Sequence, residues 1–305
     1  MTGNPVPTED GLHPGISDIV YHGDRDSLSS SGARLLLTAP AKFHYEQHHP
    51  RKPKKEYDFG HLAHFEVLGE GSDVFLLDPE VHGKTKAGKV SSNPANTDGW
   101  KEAAAEARAA GLVPVHINQM AIARLMAEEV RKHPVAAKLL ENGYPELSGY
   151  WHDPITKLRL RYRPDFLGEL ADGRIVCVDY KTTTDASPRH VGKASADYGY
   201  FQQDPWYRDG LIANDITDEP GLVFIFQEKD PPYLVSVMQH HPDDVQRGRD
   251  LNRAAVDLWA HCRERDEWPG YGDGITEFRM PSWFAPTTDA RITALTDLAE
   301  LRAAA

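Results

Sequence analysis

Cysteine is scarce in this chain. Only Cys177 and Cys262 occur among 305 residues, so neither a disulfide framework nor a four-cysteine iron–sulfur site is expected. Both lie in apolar patterns, which favours packed thiols over metal ligands. The chain also lacks any apolar run near the roughly 20 residues of a membrane helix, and its N-terminus lacks the basic-then-apolar order of a secretion signal. We therefore expect a soluble protein of a reducing cytoplasm, with no membrane partner.

Two nucleotide-binding signatures are also missing. No Gly-x-Gly-x-x-Gly opens a helix and no Walker sequence is present, which excludes a Rossmann dinucleotide site and a P-loop. The chain also has fewer basic than acidic residues, with 34 Lys and Arg against 46 Asp and Glu, which gives a net charge of −12. This balance argues against a protein that coats nucleic acid indiscriminately, but it is compatible with a local basic channel beside an acidic metal site.

The clearest local structure is a β-hairpin over residues 161 to 184. Its turn is Ala171-Asp172-Gly173-Arg174, and alternating and β-branched runs flank that turn. We expect Asp165 on the first strand and Asp179 and Lys181 on the second. The hairpin thus gathers two acids and a lysine into a small region.

Two carboxylates on adjacent strands are suited to one hard cation, Mg²⁺ or Mn²⁺ rather than Zn²⁺. Lys181 follows Asp179 by two residues, so both side chains point to the same sheet face, and the carbonyl of Tyr180 between them is a further possible ligand. A lysine in that place can orient a metal-bound water that attacks phosphorus. For Asp179 and Lys181 alone, an ordinary surface ion pair explains the pattern equally well.

Other candidates lie upstream of the hairpin. His64 falls in a helical pattern over residues 58 to 68, where a lone histidine is more often structural than a ligand. Residues Ser29 to Ser31 precede an apolar run, as helix-capping serines do. Alternatively, Ser31 and Arg34 near that helix N-terminus bind a phosphate.

Two lysine-rich stretches are candidate DNA contacts. A basic cluster such as that at residues 51 to 55 is usually a solvated loop, and the alternative is a contact with the DNA backbone. Residues 82 to 96 show no hydrophobic pattern, which predicts a loop that places Lys84, Lys86 and Lys89 against DNA.

Helices followed by a mostly sequential set of strands, with a helix crossing over after Lys181, predict an α/β fold with a mixed central sheet flanked by helices. Residues 1 to 15 are rich in Pro, Gly and polar residues, which predicts disorder. We expect one domain over residues 16 to 286 and a C-terminal helix or tail over 287 to 305.

Several short motifs together resemble the PD-(D/E)xK nucleases, and more narrowly the phage RecE-type (exonuclease VIII) group, related to λ exonuclease and the RecB nuclease domain. The similarity runs from about residue 16 to Trp283. The second acid is Asp rather than the more common Glu, and the N-terminal extension of the longest RecE proteins is missing. The motifs are His64 in DFGHLAHFEVL, Arg163-Pro164-Asp165, Asp179-Tyr180-Lys181-Thr182-Thr183, and Gln203 with Tyr207 in QQDPWY.

The resemblance implies a restriction-endonuclease-like core and assigns roles to single residues. Asp165 and Asp179 would bind the metal, with the Tyr180 carbonyl and Glu146 as further ligands. His64 would be a ligand or an orienter for a second metal. Lys181 would be the catalytic lysine. The remaining catalytic candidates, Gln203 and Tyr207, would orient that lysine or contact the scissile strand.

The resemblance also implies an activity. It is that of a Mg²⁺-dependent 5′–3′ exonuclease on double-stranded DNA ends, which leaves 3′ single-stranded tails for recombination by single-strand annealing in a bacterial or phage-infected cytoplasm. An annealing protein and a ring-shaped homo-oligomer are the implied partners. Two alternatives stay open: a structure-specific or CRISPR-adaptation-like endonuclease of the same core, and a DNA-binding protein with a vestigial nuclease site.

Overall fold

The computed structural model describes residues 5–49, 55–71 and 73–303. The basic cluster at residues 51 to 55 therefore lies almost wholly outside the described residues. The strands are β1 (Gly11–His13), β2 (Ser27–Ser29), β3 (Val74–Leu77), β4 (Val113–His116), β5 (Gly143–Pro145), β6 (Ser148–His152), β7 (Arg159–Tyr162), β8 (Phe166–Glu169), β9 (Ile175–Thr183), β10 (Gly221–Glu228) and β11 (Val235–Met238). The α-helices are α1 (Asp18–Gly23), α2 (Ser30–Thr38), α3 (Pro40–His48), α4 (Lys55–Leu68), α5 (Pro79–His82), α6 (Asp98–Ala109), α7 (Ile117–Lys132), α8 (Pro134–Leu139), α9 (Pro188–Tyr198), α10 (Tyr200–Ala213), α11 (Pro242–Arg265) and α12 (Phe284–Ala303).

The central sheet has five strands in the order β11-β10-β9-β8-β5. It is mixed, because β9 and β10 run parallel while the other neighbours are antiparallel. A second sheet has the order β1-β6-β7-β2, and β3 pairs with β4 in a third. The predicted α/β fold with a mixed central sheet flanked by helices is confirmed.

The central sheet separates two hydrophobic cores, and β9 contributes to both. Val176, Val178 and Tyr180 belong to the core that contains residues of α4, α7 and α8. Cys177 belongs to the other core, which contains residues of α2, α10 and α11. Because side chains alternate along a strand, Asp179 and Lys181 point to the same side as Cys177.

The predicted hairpin is present as β8 and β9, but its first strand is shorter than expected. Residues 159 to 162 form β7 in the second sheet, and Asp165 lies just before β8 rather than on it. Pro164 lacks the N–H that a continuous ladder would use, which accounts for the break between the two strands. The turn closes as predicted, with Gly173 at φ +82°.

The predicted disorder of residues 1 to 15 was wrong in part. Residues 11 to 13 form β1 and pair with β6, where ladder hydrogen bonds hold them. Helix α1 follows, and Ser17 caps it by accepting a hydrogen bond from the Val20 N–H.

The chain forms two compact units, Met1–Gly270 and Tyr271–Ala305. The predicted domain boundary at residue 286 thus lies sixteen residues beyond the boundary between the units. Helix α12, in the second unit, begins at Phe284, three residues before the start of the predicted C-terminal helix or tail. Cys177 and Cys262 are free and buried, as expected for packed thiols. Among the described helices, none is long and apolar enough to cross a membrane.

Candidate active site

Two charged side chains on one face of β9 form a close ion pair. Lys181 Nζ lies 2.5 Å from Asp179 Oδ2, and the Asp179 side chain is only 2% exposed. The parallel register places Phe224 beside Asp179 and Phe226 beside Lys181. The ion pair therefore has apolar neighbours, and two charges attract each other more strongly in such surroundings than in water. Burial lowers the pKa of Lys181, but the negative charges of Asp179 and Asp165 outweigh this and raise it overall. Lys181 is therefore a cation at neutral pH.

Helix α10 holds the other oxygen of Asp179. The Gln203 side-chain Nε2 donates a hydrogen bond to Asp179 Oδ1. Tyr207, one turn later, shares a hydrogen bond with Gln203, and its ring packs against Tyr162. The predicted role of Gln203 in orienting the lysine is thus possible only indirectly, through the aspartate that it shares with Lys181.

A second group gathers where α4 meets β9. The Nε2 atom of His64 lies 2.7 Å from the backbone oxygen of Tyr180 and 3.5 Å from Asp165 Oδ2. The backbone N–H of Tyr180 donates to the same Asp165 oxygen at 2.7 Å. Phe166 pairs with Val178 in the ladder, which brings the preceding Asp165 next to residues 179 and 180.

Glu146 completes this group from the connection between β5 and β6. Its backbone has φ +50°, a conformation that is uncommon for a residue other than glycine, and its N–H donates to the carbonyl of Asp165 at 3.1 Å. Arg163 Nη1 lies 4.0 Å from Glu146 Oε2. Burial, followed by the charges of Asp165 and Asp18, raises the pKa of Glu146 to about 8.

The donor set fits a divalent cation. His64, Glu146 and Asp165 each offer one ligand atom, and these atoms lie within 4.8 Å of one another. Burial, together with the charge of Asp179, also raises the pKa of Asp165 to about 6, although His64 opposes the shift. A cation would neutralise this crowded negative charge. Asp179, predicted as a ligand, is not a member of this three-residue group, and its oxygens contact Lys181 and the Gln203 amide.

The sequence of residues 29–281 matches a family described as a PDDEXK-like domain of unknown function (DUF3799). The match spans most of the chain. The chain belongs to this PDDEXK-like family. The predicted PD-(D/E)xK relationship is thereby confirmed, and the chain is a nuclease of the PDDEXK type, a class that generally depends on divalent metal ions. No curated protein matches the chain in sequence.

A solved structure agrees with the fold. A protein from Eubacterium rectale, described as a candidate exonuclease, superposes with a TM-score of 0.54 at 9% identity, over 88% of this chain and 97% of that one. At such low identity the likeness shows the fold alone. A phage-related exonuclease from Haemophilus somnus 129PT covers 79% of this chain and 96% of its own, at 9% identity, but its TM-score of 0.31 carries no weight.

The two predicted phosphate contacts near the N-terminus of α2 have different surroundings in this PDDEXK-like protein. Ser31 lines a cleft together with Arg25 and Arg161. Arg34 is not among the residues that line this cleft, and its Nη1 donates to Ser30 Oγ at 2.9 Å and to the carbonyl of Gly199 at 3.4 Å. The binding of one phosphate by Ser31 and Arg34 stays a prediction.

The three predicted lysine contacts are exposed on a tight turn rather than in a patternless loop. Lys84 bridges to Val90, and the Thr85 N–H donates to the carbonyl of Lys89 at 2.8 Å. The Gly88 N–H closes the turn on the carbonyl of Thr85. Lys86 lies within this turn. The lysines are thus displayed on an ordered element.

Sequence reasoning missed two residues that touch the site. The ring of Tyr200 lies 4.6 Å from Lys181 Nζ, and Arg163, with its side chain 5% exposed, contacts Asp18 at 2.8 Å as well as Glu146. Tyr200 was detectable, since it precedes Gln203 by three residues and so shares its helix face. The contacts of Arg163 depend on α1, which the sequence did not predict.

Proposed function

We propose that the protein is a Mg²⁺- or Mn²⁺-dependent exonuclease that degrades double-stranded DNA ends from 5′ to 3′. Its product would be a 3′ single-stranded tail for phage-type recombination by single-strand annealing. The observation that carries the proposal is the convergence of His64, Glu146 and Asp165 beside the Asp179–Lys181 pair. Metal ligands next to a buried lysine are the arrangement that phosphodiester hydrolysis needs.

The bound cation would supply a water of lowered pKa and stabilise negative charge on the scissile phosphate. His64, Glu146 and Asp165 would hold it, with the Tyr180 carbonyl and Asp179 as adjacent oxygens. Lys181 keeps its proton, so it serves as a cation that orients the nucleophile or neutralises the phosphate rather than as a general base. Gln203 fixes Asp179, which in turn fixes the lysine.

Recognition of a 5′ end has a candidate place in the cleft at the N-terminus of α2. Ser29 caps this helix, Ser31 is exposed beside it, and Arg161 lines the same cleft with a buried Nε that lacks a hydrogen-bond partner among the described residues. Helix N-termini and arginines both favour phosphate. Asp24 and Glu46 also line the cleft, and their negative charges would oppose a phosphate there.

The remaining partners are part of the same proposal. An annealing protein would receive the tail, and a homo-oligomeric ring would retain DNA despite the acidic net charge. An endonuclease of the same core is the second candidate function, because the site chemistry does not distinguish an end from an interior bond. A vestigial site is disfavoured, since Asp165, Asp179 and Lys181 are assembled together.

The deciding experiment digests linear duplexes labelled at either the 5′ or the 3′ end, next to a covalently closed circle, with Mg²⁺ or Mn²⁺. We expect release from 5′ ends only, no cutting of the circle, and faster digestion of 5′-phosphorylated than of 5′-hydroxyl ends. Lys181→Ala and Asp179→Ala should lose at least 100-fold in rate while still binding DNA, since they remove groups that act on the reaction rather than the DNA backbone. Ser31→Ala should reduce the phosphate preference.

Each part of the proposal has its own contradicting result. Cutting of the closed circle would favour the endonuclease, and release from 3′ ends would reverse the polarity. Undiminished cleavage by Lys181→Ala would remove that residue from the site. Lys157→Ala is a suitable matched control because this exposed lysine lies on a turn and has no part in the proposed site.

A further inference from the structure

Two tyrosines flank the junction of α9 and α10 beside the candidate catalytic lysine. Tyr200 lies with its ring centroid 4.6 Å from Lys181 Nζ, and its ring is stacked on Phe224. The ring of Tyr198 lies 5.8 Å from that of Tyr200, tilted by 31°. An aromatic pair therefore leads from the lysine toward solvent.

The residue between the tyrosines has to be glycine. Gly199 has φ +70°, and a Cβ at this position would lie 2.4 Å from Arg34 Cδ. The Arg34 Nη1 atom also points to the Gly199 carbonyl at 3.4 Å. The turn at Gly199 thus packs against the Arg34 side chain, and the two tyrosines and this arginine lie together next to the candidate active site.

The two tyrosines differ in exposure. Tyr198 is 65% exposed and belongs to neither hydrophobic core, and its only ring contact within the described residues is Tyr200. Single exposed aromatic residues are common and by themselves mean little. Tyr198 differs from those because its ring neighbour, Tyr200, lies against Lys181.

We propose that Tyr198 is a stacking platform for an unpaired nucleobase adjoining the scissile phosphate, with Tyr200 as its rigid support. This inference rests on the proposed nuclease function and names the part of the substrate that this side of the site binds. Base–aromatic stacking is tolerant of sequence because every base has a π-face. Arg34 offers a positive charge for the phosphate of the stacked nucleotide, and Tyr200 keeps Lys181 facing the bond to be cut.

The experiment compares wild type with Tyr198→Ala, Tyr198→Trp and Tyr45→Ala in Mg²⁺-dependent cleavage of a 5′-labelled duplex. Tyr45→Ala is the matched control, because Tyr45 is a similarly exposed tyrosine (61%) on the separate helix α3. Tyr198→Ala should raise KM roughly 5- to 100-fold with little change in kcat, as expected for the loss of one stacking contact. Tyr198→Trp should match or improve on wild type, and Tyr45→Ala should not differ from it.

A second substrate set identifies the base as the partner. One nucleotide at a time, near the labelled end, is replaced by an abasic nucleotide that keeps the phosphate. At one position the abasic nucleotide should raise the KM of wild type by the same factor by which Tyr198→Ala raises it on the intact duplex. The same abasic nucleotide should not raise the KM of Tyr198→Ala any further. This non-additivity separates stacking from a structural role of the tyrosine.

The outcomes distinguish the inference from the function on which it rests. The stacking platform is refuted if wild type cuts DNA and Tyr198→Ala cuts it with unchanged KM. It is also refuted if no abasic position raises KM for wild type without raising it for Tyr198→Ala. In both cases the proposed nuclease function is unaffected. A loss shared by Tyr198→Ala and Tyr198→Trp would also refute stacking. If wild type neither binds nor cuts DNA, both the function and the inference are wrong.

Discussion

Two carboxyl groups of the candidate site have raised pKa values, and a bound metal ion would change their protonation. Glu146 and Asp165 have pKa values raised to about 8 and about 6, chiefly by burial, with the neighbouring carboxylates adding to the shift. Between its pKa in the unfolded chain and its raised pKa in the folded protein, each carboxyl group therefore binds a proton in the fold that it has released in the unfolded chain. The metal-free site is destabilised by its own charges near neutral pH, as is common for functional sites.

This predicts the pH dependence of stability. Where the folded state binds more protons than the unfolded state, the free energy of unfolding falls as pH rises, and for Glu146 this window runs from about pH 4.5 to about pH 8. We expect the metal-free protein, with chelator present, to lose on the order of 2–4 kcal/mol across it. Urea unfolding at a series of pH values measures the slope.

Glu146→Gln is the comparison that isolates this residue. The variant should show a flatter profile, since the amide does not titrate. His61 contributes an opposite slope below about pH 6.5, because burial lowers its pKa, but it does so equally in both proteins. Added Mg²⁺ should flatten the wild-type profile by competing with protons. Parallel profiles for wild type and Glu146→Gln would show that the carboxyl is not protonated in the fold.

Among the elements, α10 places the most residues near the site, and a buried network fixes its position. Ser195 Oγ lies 2.6 Å from His240 Nε2, and His240 Nδ1 lies 3.0 Å from Asp204 Oδ2. Arg208 binds the other oxygen of Asp204, whose side chain is fully buried. Asp204 directly follows Gln203, so a network that joins α9, α10 and the segment after β11 also holds the glutamine that contacts Asp179.

Breaking this network should cost stability. His240→Ala leaves the buried Asp204 carboxylate with one hydrogen-bond partner fewer, and we expect a loss of about 2–4 kcal/mol in the free energy of unfolding. Ser195→Ala removes a neutral hydrogen bond and should cost about 1 kcal/mol. His261→Ala, an exposed histidine on α11, is the control and should change the value by less than about 0.5 kcal/mol. Equal effects of His240→Ala and His261→Ala would contradict the network.

For the whole molecule, the boundary after Gly270 predicts which part of the chain the fold requires. The side chains from 271 to 299 are exposed, apart from the half-buried Phe284 and Thr288. In the first unit, Trp268 stacks on His44 at 4.6 Å and the carbonyl of Pro269 accepts a hydrogen bond from Ala41. The last residues of the first unit therefore help to hold α3.

Truncation tests this boundary. A chain ending at Gly270 should unfold with a free energy within about 1 kcal/mol of the full chain, because the hydrophobic cores of the described residues include no residue beyond Trp268. A chain ending at Asp266 should lose about 2 kcal/mol more, since it also removes Trp268 and Pro269. Urea unfolding of the three chains provides the measurement. A large loss on truncation at Gly270 would show that the first unit depends on the second.

Much of the local structure follows from the sequence because it rests on neighbours in the chain. The β9 pattern places Asp179 and Lys181 on one face, the turn at Gly173 closes the hairpin, and the helix of His64 is where the sequence predicts it. Such features depend on strand period, on glycine at positive φ and on the missing N–H of proline. The PD-(D/E)xK relationship was predicted from motif order alone.

Only the tertiary structure decided which of these residues meet. It grouped His64 and Glu146 with Asp165, left Asp179 to bind Lys181 and Gln203, and brought Tyr200 against the lysine. It also placed Ser31 in the lining of a cleft and directed Arg34 to the Gly199 carbonyl, although both belong to one helix. These outcomes depend on strand order, on where the chain breaks at Pro164, and on packing between elements far apart in sequence. Local periodicity fixes the face on which a side chain lies, but its distance to a distant residue is set by how the elements pack.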